Sequence, residues 1–172
     1  MTVELELDSR REIYAAVRDD PGIHFRGLLA RLDYAHGTLQ YHLRWLVNER
    51  LVAREADGDY TRYYPVEGFD EADRATMNAL RRKTGRRIVA HLATDGPLTT
   101  SDLSERLDRS ASTVSWHLSK LTEAGLVAKE RDGRSVYYSL SDPDRAKYLY
   151  TVYQGSFTDR LVDRLLGLWE GY

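Results

Sequence analysis

The sequence predicts a mainly α fold with small β hairpins, of the α+β class, written twice in tandem and followed by further helices. Three observations predict it. Shifted by 75 residues, the chain meets itself: Ile13, Leu28, Arg31, Leu32, Asp33, Thr38, His42, Leu43 and Leu46 fall on identical residues from Ile88 to Leu121, and the match runs on through Leu51, Val52, Ala53, Glu55, Asp57 and Gly58, so one domain is duplicated. Apolar residues recur at helical spacing three times in each copy. Each copy then closes with two strand-like runs around an Asp-Gly pair, Asp57-Gly58 and Asp132-Gly133, a hairpin signal. One extra residue in the first hairpin moves the register to 74 and pairs Tyr63 and Tyr64 with Tyr137 and Tyr138, an insertion of the kind that loops tolerate.

Residues 1–8 alternate apolar and acidic side chains, as a short strand or a frayed end would. A first helix over 10–18 has Ile13, Ala16 and Val17 at core spacing, and Asp19-Asp20-Pro21-Gly22 stops it. Ile88 and Leu92 repeat the pattern, with Asp95-Gly96-Pro97 as the stop. Short extended pieces at Ile23-His24 and Leu98-Thr99 lead into second helices over 25–32 and 101–107, the latter capped by Thr100 or Ser101. Four-residue connections then open third helices over 37–49 and 112–124; Gly125 is a good stop for the second of these, whereas Arg50 holds the same place in the first. Strands over 51–55 with 60–64, and 126–130 with 135–140, complete each copy. Helix, short strand, helix, helix, hairpin is the order of a winged helix. The expected layout is therefore winged helix domain 1 over 1–66, a linking helix within 67–83, winged helix domain 2 over 84–141, and C-terminal helices over 142–172. The first of those helices starts at Pro143, behind Ser141 or Asp142 as its cap.

With 172 residues and no cysteine, disulfides, thiolate metal sites and cysteine nucleophiles are excluded. No run approaches the roughly 20 apolar residues of a membrane span, so a cytoplasmic protein with no membrane partner is expected. The net charge of −2 hides an asymmetry: residues 81–136 carry eleven Lys/Arg against seven Asp/Glu, residues 1–66 nine against eleven. The second copy is thus the better partner for a polyanion. Its tract Arg81-Arg82-Lys83-Thr84-Gly85-Arg86-Arg87 reads either as a solvated helix end or as a phosphate contact.

At about 100° per residue, Val114, Leu118 and Leu121 define the inward face of the third helix of copy two, and Leu39, Leu43 and Leu46 that of copy one. Ser112, Trp116, Ser119 and Glu123 lie opposite, flanked by Ser115 and Lys120; Gly37, Tyr41, Arg44 and Asn48 do so in copy one, flanked by Gln40 and Trp45. An aromatic set away from the core among hydroxyls, amides and cations suits the edges and phosphates of duplex DNA. Thr38, Gln40, Tyr41 and Arg44, with Ser112, Thr113, Ser115, Trp116, Ser119 and Lys120, are the candidate DNA contacts on the helices. Arg62, Arg131 and Arg134 are the candidates on the hairpins. His42 and His117 repeat at the edge of the buried face, each without a second ligand four residues on, and read as partly buried, hydrogen-bonded imidazoles rather than a metal site.

Gly22-Ile23-His24-Phe25-Arg26 with Gly37-Thr38-Leu39-Gln40-Tyr41-His42-Leu43, and Ser112 to Leu121 with Ala124-Gly125-Leu126-Val127, resemble archaeal winged helix-turn-helix transcriptional regulators of the ArsR/MarR-like group that carry two winged helices in one chain. The resemblance implies a sequence-specific, double-stranded-DNA-binding regulator and a homodimer paired through terminal helices. Metal sensors of that group use Cys pairs or His/Asp clusters on the first or last helix, and this chain has no Cys and no His after His117; no metal or other cofactor is expected, and no small-molecule effector is indicated. Tyr148, Val152, Phe157, Leu161, Leu165, Leu168 and Trp169 form the apolar faces that would pair the chains. The alternative is a protein-interaction module in a larger assembly, which the acidic balance of copy one and its Tyr41 and Trp45 would suit. An enzyme is not expected, since no phosphate loop, paired-His motif or nucleophile triad occurs.

Overall fold

The computed structural model describes residues 8–158, which fall into two compact units divided between Arg74 and Ala75. The first runs α1 (Asp8–Asp19), β1 (Ile23–His24), α2 (Phe25–Arg31), α3 (His36–Asn48), β2 (Val52–Asp57) and β3 (Tyr60–Pro65). The helical period sets Ile13, Ala16 and Val17 of α1 on one buried face. They pack with Leu28 of α2, Leu39, Leu43 and Leu46 of α3, and Ile23, Val52 and Tyr63 of the sheet. That sheet is antiparallel in the order β1-β3-β2, with Ile23 opposite Tyr63 and Val52 opposite Pro65. His24 joins sheet to helix: its Nδ1 accepts from the Gly27 amide at 2.9 Å, capping α2, and its ring stacks on Tyr60.

α4 (Glu71–Arg81) carries the division between the units. It starts on a reciprocal pair in which Asp70 Oδ1 accepts from the Asp73 amide at 2.8 Å and Asp73 Oδ2 from the Asp70 amide at 3.1 Å. The second unit continues with α5 (Lys83–Asp95), α6 (Thr100–Leu107), α7 (Ala111–Glu123), β4 (Val127–Asp132), β5 (Ser135–Leu140), α8 (Pro143–Tyr153) and a 3-10 turn over Gln154–Thr158. α6 is capped by Thr99, not by Thr100 or Ser101: Thr99 Oγ1 accepts from the Asp102 amide and Asp102 Oδ2 from the Thr99 amide. Ile88, Leu92, Leu103, Leu107, Val114, Leu118 and Leu121 are buried. The expected extended piece at Leu98-Thr99 is reduced to a single bridge between Leu98 and Tyr138.

The hairpins overturn the predicted change of register. Both have six-residue strands and a two-residue loop, and the offset stays at 75 throughout: Val52 to Val127, Tyr60 to Ser135, Pro65 to Leu140. Tyr63 is thus equivalent to Tyr138, each facing the short extended piece, at Ile23 and at Leu98. The Tyr-Tyr pairs coincide in sequence only by a slip of one, and such a slip would turn every side chain to the opposite face. Gly58 and Gly133 lie first in their loops at φ 61°, the conformation that glycine supplies in a type II′ turn.

The fold divides the basic tract, leaving Lys83 and Arg87 exposed while guanidiniums of the tract turn to the backbone. Arg82 donates to the carbonyl of Asn78 at 3.2 Å, Arg86 to that of Leu80 at 3.1 Å and Arg87 to that of Leu107 at 3.4 Å, and Arg81 is buried. These guanidiniums hold helix-end carbonyls, which satisfies orphan acceptors. Gly85 sits where a Cβ would lie 2.8 Å from the Ala79 carbonyl oxygen, so α4 and α5 approach too closely there for any other residue.

α8 starts as expected, with Pro143 in its first turn and Asp142 Oδ1 accepting from the Arg145 amide at 3.0 Å. Ala146 and Leu149 are buried, while Tyr148 and Val152 are each 50% exposed. Phe157 departs from its expected place on an exposed stripe: it is buried, stacked on Tyr150 with Arg86 over its ring. Leu161, Leu165, Leu168 and Trp169 lie outside the described residues, as do residues 1–7. Among the described residues no helix is long and apolar enough to cross a membrane.

Candidate nucleic-acid interface

In the second unit α6 and α7 are joined by three residues, Asp108 to Ser110. Asp108 turns the chain in the left-handed region at φ 51°, its amide donating to the Glu105 and Ser104 carbonyls, and Asp tolerates that region better than most residues. Ser110 then caps α7. Its Oγ accepts from the Thr113 amide at 3.2 Å and lies 2.8 Å from Thr113 Oγ1 and 3.1 Å from Ser112 Oγ. Three hydroxyls therefore cluster at the positive end of a 13-residue helix. Ser110→Ala should cost about 1 kcal/mol, read as a lower midpoint of urea unfolding.

Val114, Leu118 and Leu121 anchor α7 by its buried face, and Ser112, Thr113, Ser115, Trp116, Ser119 and Lys120 are all exposed. Trp116 is 53% exposed, its indole edge on His117 and the Lys120 ammonium 5.9 Å from its centroid. A cation over a half-exposed indole offers a phosphate and a base edge complementary groups at one place. Beyond the helix, β4 is exposed from Ala128 to Asp132, and Arg131 and Arg134 are exposed at the hairpin tip with no ion-pair partner among the described residues.

The first unit presents the same row with different chemistry. Thr38, Gln40, Tyr41 and Arg44 are exposed on α3, Tyr41 to 63%. The cap position is Ala35, which makes no side-chain bond to the helix start, so the hydroxyl cluster of α7 has no counterpart. Trp45 is not an exposed flank: it is half-buried under the Arg10 guanidinium, 3.8 Å from its ring.

Arg62 is the clear correction among the candidate contacts. Its side chain is 1% exposed, with Nε donating to Asp57 Oδ2 at 2.7 Å and Nη1 to the Gly22 carbonyl at 2.9 Å. A guanidinium so enclosed cannot reach a phosphate. The sequence does not mark it as internal, because the Gly22 carbonyl lies 40 residues away in the chain and the equivalent residue in the second copy is Tyr137.

His42 and His117 sit beneath the outward aromatics. His42 is buried and its Nδ1 has no hydrogen-bond partner, contrary to the expected bonded imidazole. Burial, then the charge of Arg10, pushes its pKa below the ordinary 6.5; burial, then Arg82, does the same to His117. Both rings are thus held neutral in the fold. Because the folded pKa lies below the unfolded one, their stabilisation is full above about 6.5 and declines as pH falls through that value toward the folded pKa. The unfolding midpoint should drop between pH 8 and pH 5, and His42→Gln with His117→Gln should flatten that drop. Among the described residues no three His, Asp or Glu side chains converge as a metal site.

Comparison with known proteins matches residues 7–77 to a family described as an N-terminal HTH domain and residues 80–130 to one described as a helix-turn-helix domain. An uncharacterized HTH-type transcriptional regulator of Methanocaldococcus jannaschii is 34% identical over 132 residues, 76% of this chain and 33% of that protein. A Halobacterium salinarum protein named for an arsenical resistance operon repressor, ArsR, is 42% identical over 65 residues, 37% of this chain and 50% of its own length. Among solved structures, HlyU from Vibrio cholerae aligns with a TM-score of 0.44 at 26% identity, covering 51% of this chain and 95% of that one. The chain spans a third or less of the length of the two M. jannaschii regulators it matches.

Proposed function

From a chain that carries two helix-turn-helix domains and is homologous to archaeal HTH-type transcriptional regulators and to ArsR-type repressors, we infer a double-stranded-DNA-binding transcriptional regulator. The observation that carries this reading is the outward row of α7: a capped, hydroxyl-rich helix start followed by exposed Ser115, Trp116, Ser119 and Lys120, with Arg131 and Arg134 exposed at the hairpin tip. α3 and α7 are the recognition helices. Ser112 and Thr113 contact phosphate at the helix start, and Trp116 and Ser119 meet base edges. Arg131 and Arg134 set register through the backbone. In the first copy Thr38, Gln40, Tyr41 and Arg44 take the corresponding roles, and Arg62 takes none.

Dimerisation runs through α8, whose buried Ala146 and Leu149 hold it to its own unit while Tyr148 and Val152 remain outward and able to meet a second copy, as palindromic half-sites favour. The test is the affinity of the full chain for a labelled duplex at low and at moderate salt. Binding that weakens steeply with salt is expected. Absence of any duplex binding at low salt would sink the reading and favour a protein-interaction role.

A further inference from the structure

In the first unit a cleft of about 690 Å³ opens between the C-terminal half of α3 and the start of β2, a size typical of small-molecule sites. Leu43, Val47, Val52 and Tyr63 give it an apolar lining, and Arg44, Arg50 and Arg54 stand along it. These three arginines are exposed, and no carboxylate pairs with any of them among the described residues. A fourth, Arg74, is already engaged by Glu55 at 2.6 Å and by the Phe69 carbonyl at 3.1 Å. Unneutralised guanidiniums gathered over an apolar surface repel one another and focus a positive potential that an anion relieves.

Two further facts set this cleft apart from the shared fold. At the equivalent places the second copy has Ser119, Gly125 and Lys129, so the arginines are not needed to build a winged helix. Arg50 also occupies the left-handed region at φ 58°, where Gly125 sits at φ 77°. A side chain in that region strains the backbone, and such strain persists where something other than stability holds the residue in place.

We propose that this cleft binds a small amphipathic polyanion: an organic molecule with an apolar body and two or more carboxylate, phosphate or sulfonate groups. The body lies on Val47 and Val66 and on the aliphatic stems of the arginines, and the anionic groups take paired hydrogen bonds from the arginine forks. Gln40 and Arg44 belong both to the cleft and to the outward row of α3, so an occupant competes with duplex DNA for them. That competition rests on the DNA reading; binding of the polyanion does not.

The test is calorimetric titration of the full chain, without DNA, using naphthalene-1,5-disulfonate as probe, with sulfate and naphthalenemethanol as the anion and the body alone. Saturable one-to-one binding is expected, about tenfold or more tighter than either fragment. Arg50→Gly and Arg54→Ala should each weaken it about tenfold, while Arg131→Ala leaves it unchanged. Arg50→Gly removes the backbone strain, so its melting temperature should not fall and its loss of affinity is not unfolding. Absence of saturable binding overturns the proposal, and so does equal affinity in Arg50→Gly and the native chain. Variants that keep the disulfonate but lose duplex binding would assign these arginines to the DNA backbone and overturn it too. Disulfonate binding with no duplex binding would leave the site standing and remove only the competition.

Discussion

Arg62→Ala is expected to destabilise the first unit by about 3–5 kcal/mol, the range for removing one partner of a buried ion pair. The loss comes from what stays behind. Asp57, 3% exposed at the side chain, would be a buried carboxylate without its 2.7 Å partner, and the Gly22 carbonyl would lose its 2.9 Å donor. Domains are stable by only about 5–15 kcal/mol in total, so a large share of this unit's stability is at stake. Urea unfolding of the full chain should show one transition moving to lower urea while the other stays. The double variant Asp57→Asn, Arg62→Leu should recover much of the loss, because no unpaired buried charge remains. A change below about 1 kcal/mol in the single variant would put the pair in the class of exposed ion pairs and contradict its burial.

Trp116→Ala with Arg131→Ala and Arg134→Ala should lower affinity for duplex DNA by about a hundredfold at low salt, each decade corresponding to about 1.4 kcal/mol. The salt dependence separates the parts. Losing two phosphate contacts should flatten the slope of log K against log salt by about 1.8, whereas Trp116→Ala alone should leave the slope unchanged and weaken binding through lost apolar contact. All three side chains are exposed, so melting temperature should hardly move. Equal slopes for the native chain and the triple variant would remove the hairpin tip from the interface.

The contrast between the two hairpins follows from the same residues. In the first, β3 is buried from Arg62 to Pro65; the Arg62–Asp57 pair ties it to β2, while the Arg62 bond to the Gly22 carbonyl and the His24–Tyr60 stack bind it to the loop before β1 and to β1. In the second, Tyr137 replaces Arg62, and β4 beyond Val127 is exposed. One domain, duplicated, thus ties one hairpin to the preceding loop through a buried arginine and leaves exposed cations at the tip of the other, which agrees with the excess of positive charge in residues 81–136.

The repeat, the order of elements in both copies, and the inward and outward faces of α3 and α7 are legible in the chain before it folds. Each of these depends on period, turn chemistry or caps within a few residues, and such local signals are carried by adjacent side chains. The rest depends on contacts between segments far apart in the chain. Arg62 is internal because its acceptor, the Gly22 carbonyl, lies 40 residues away in the chain, and Arg87 is engaged by a carbonyl 20 residues away. The hairpin register stayed constant because Ile23 opposite Tyr63, and Leu98 opposite Tyr138, hold the strands to the helical layer, overriding the resemblance of the two tyrosine pairs. Phe157 turned inward because Tyr150 and Arg86 offered it a surface. The arginine cleft likewise appears only when β2 is folded beside α3, for no local pattern reports which charges of a chain remain unpaired once its distant segments meet.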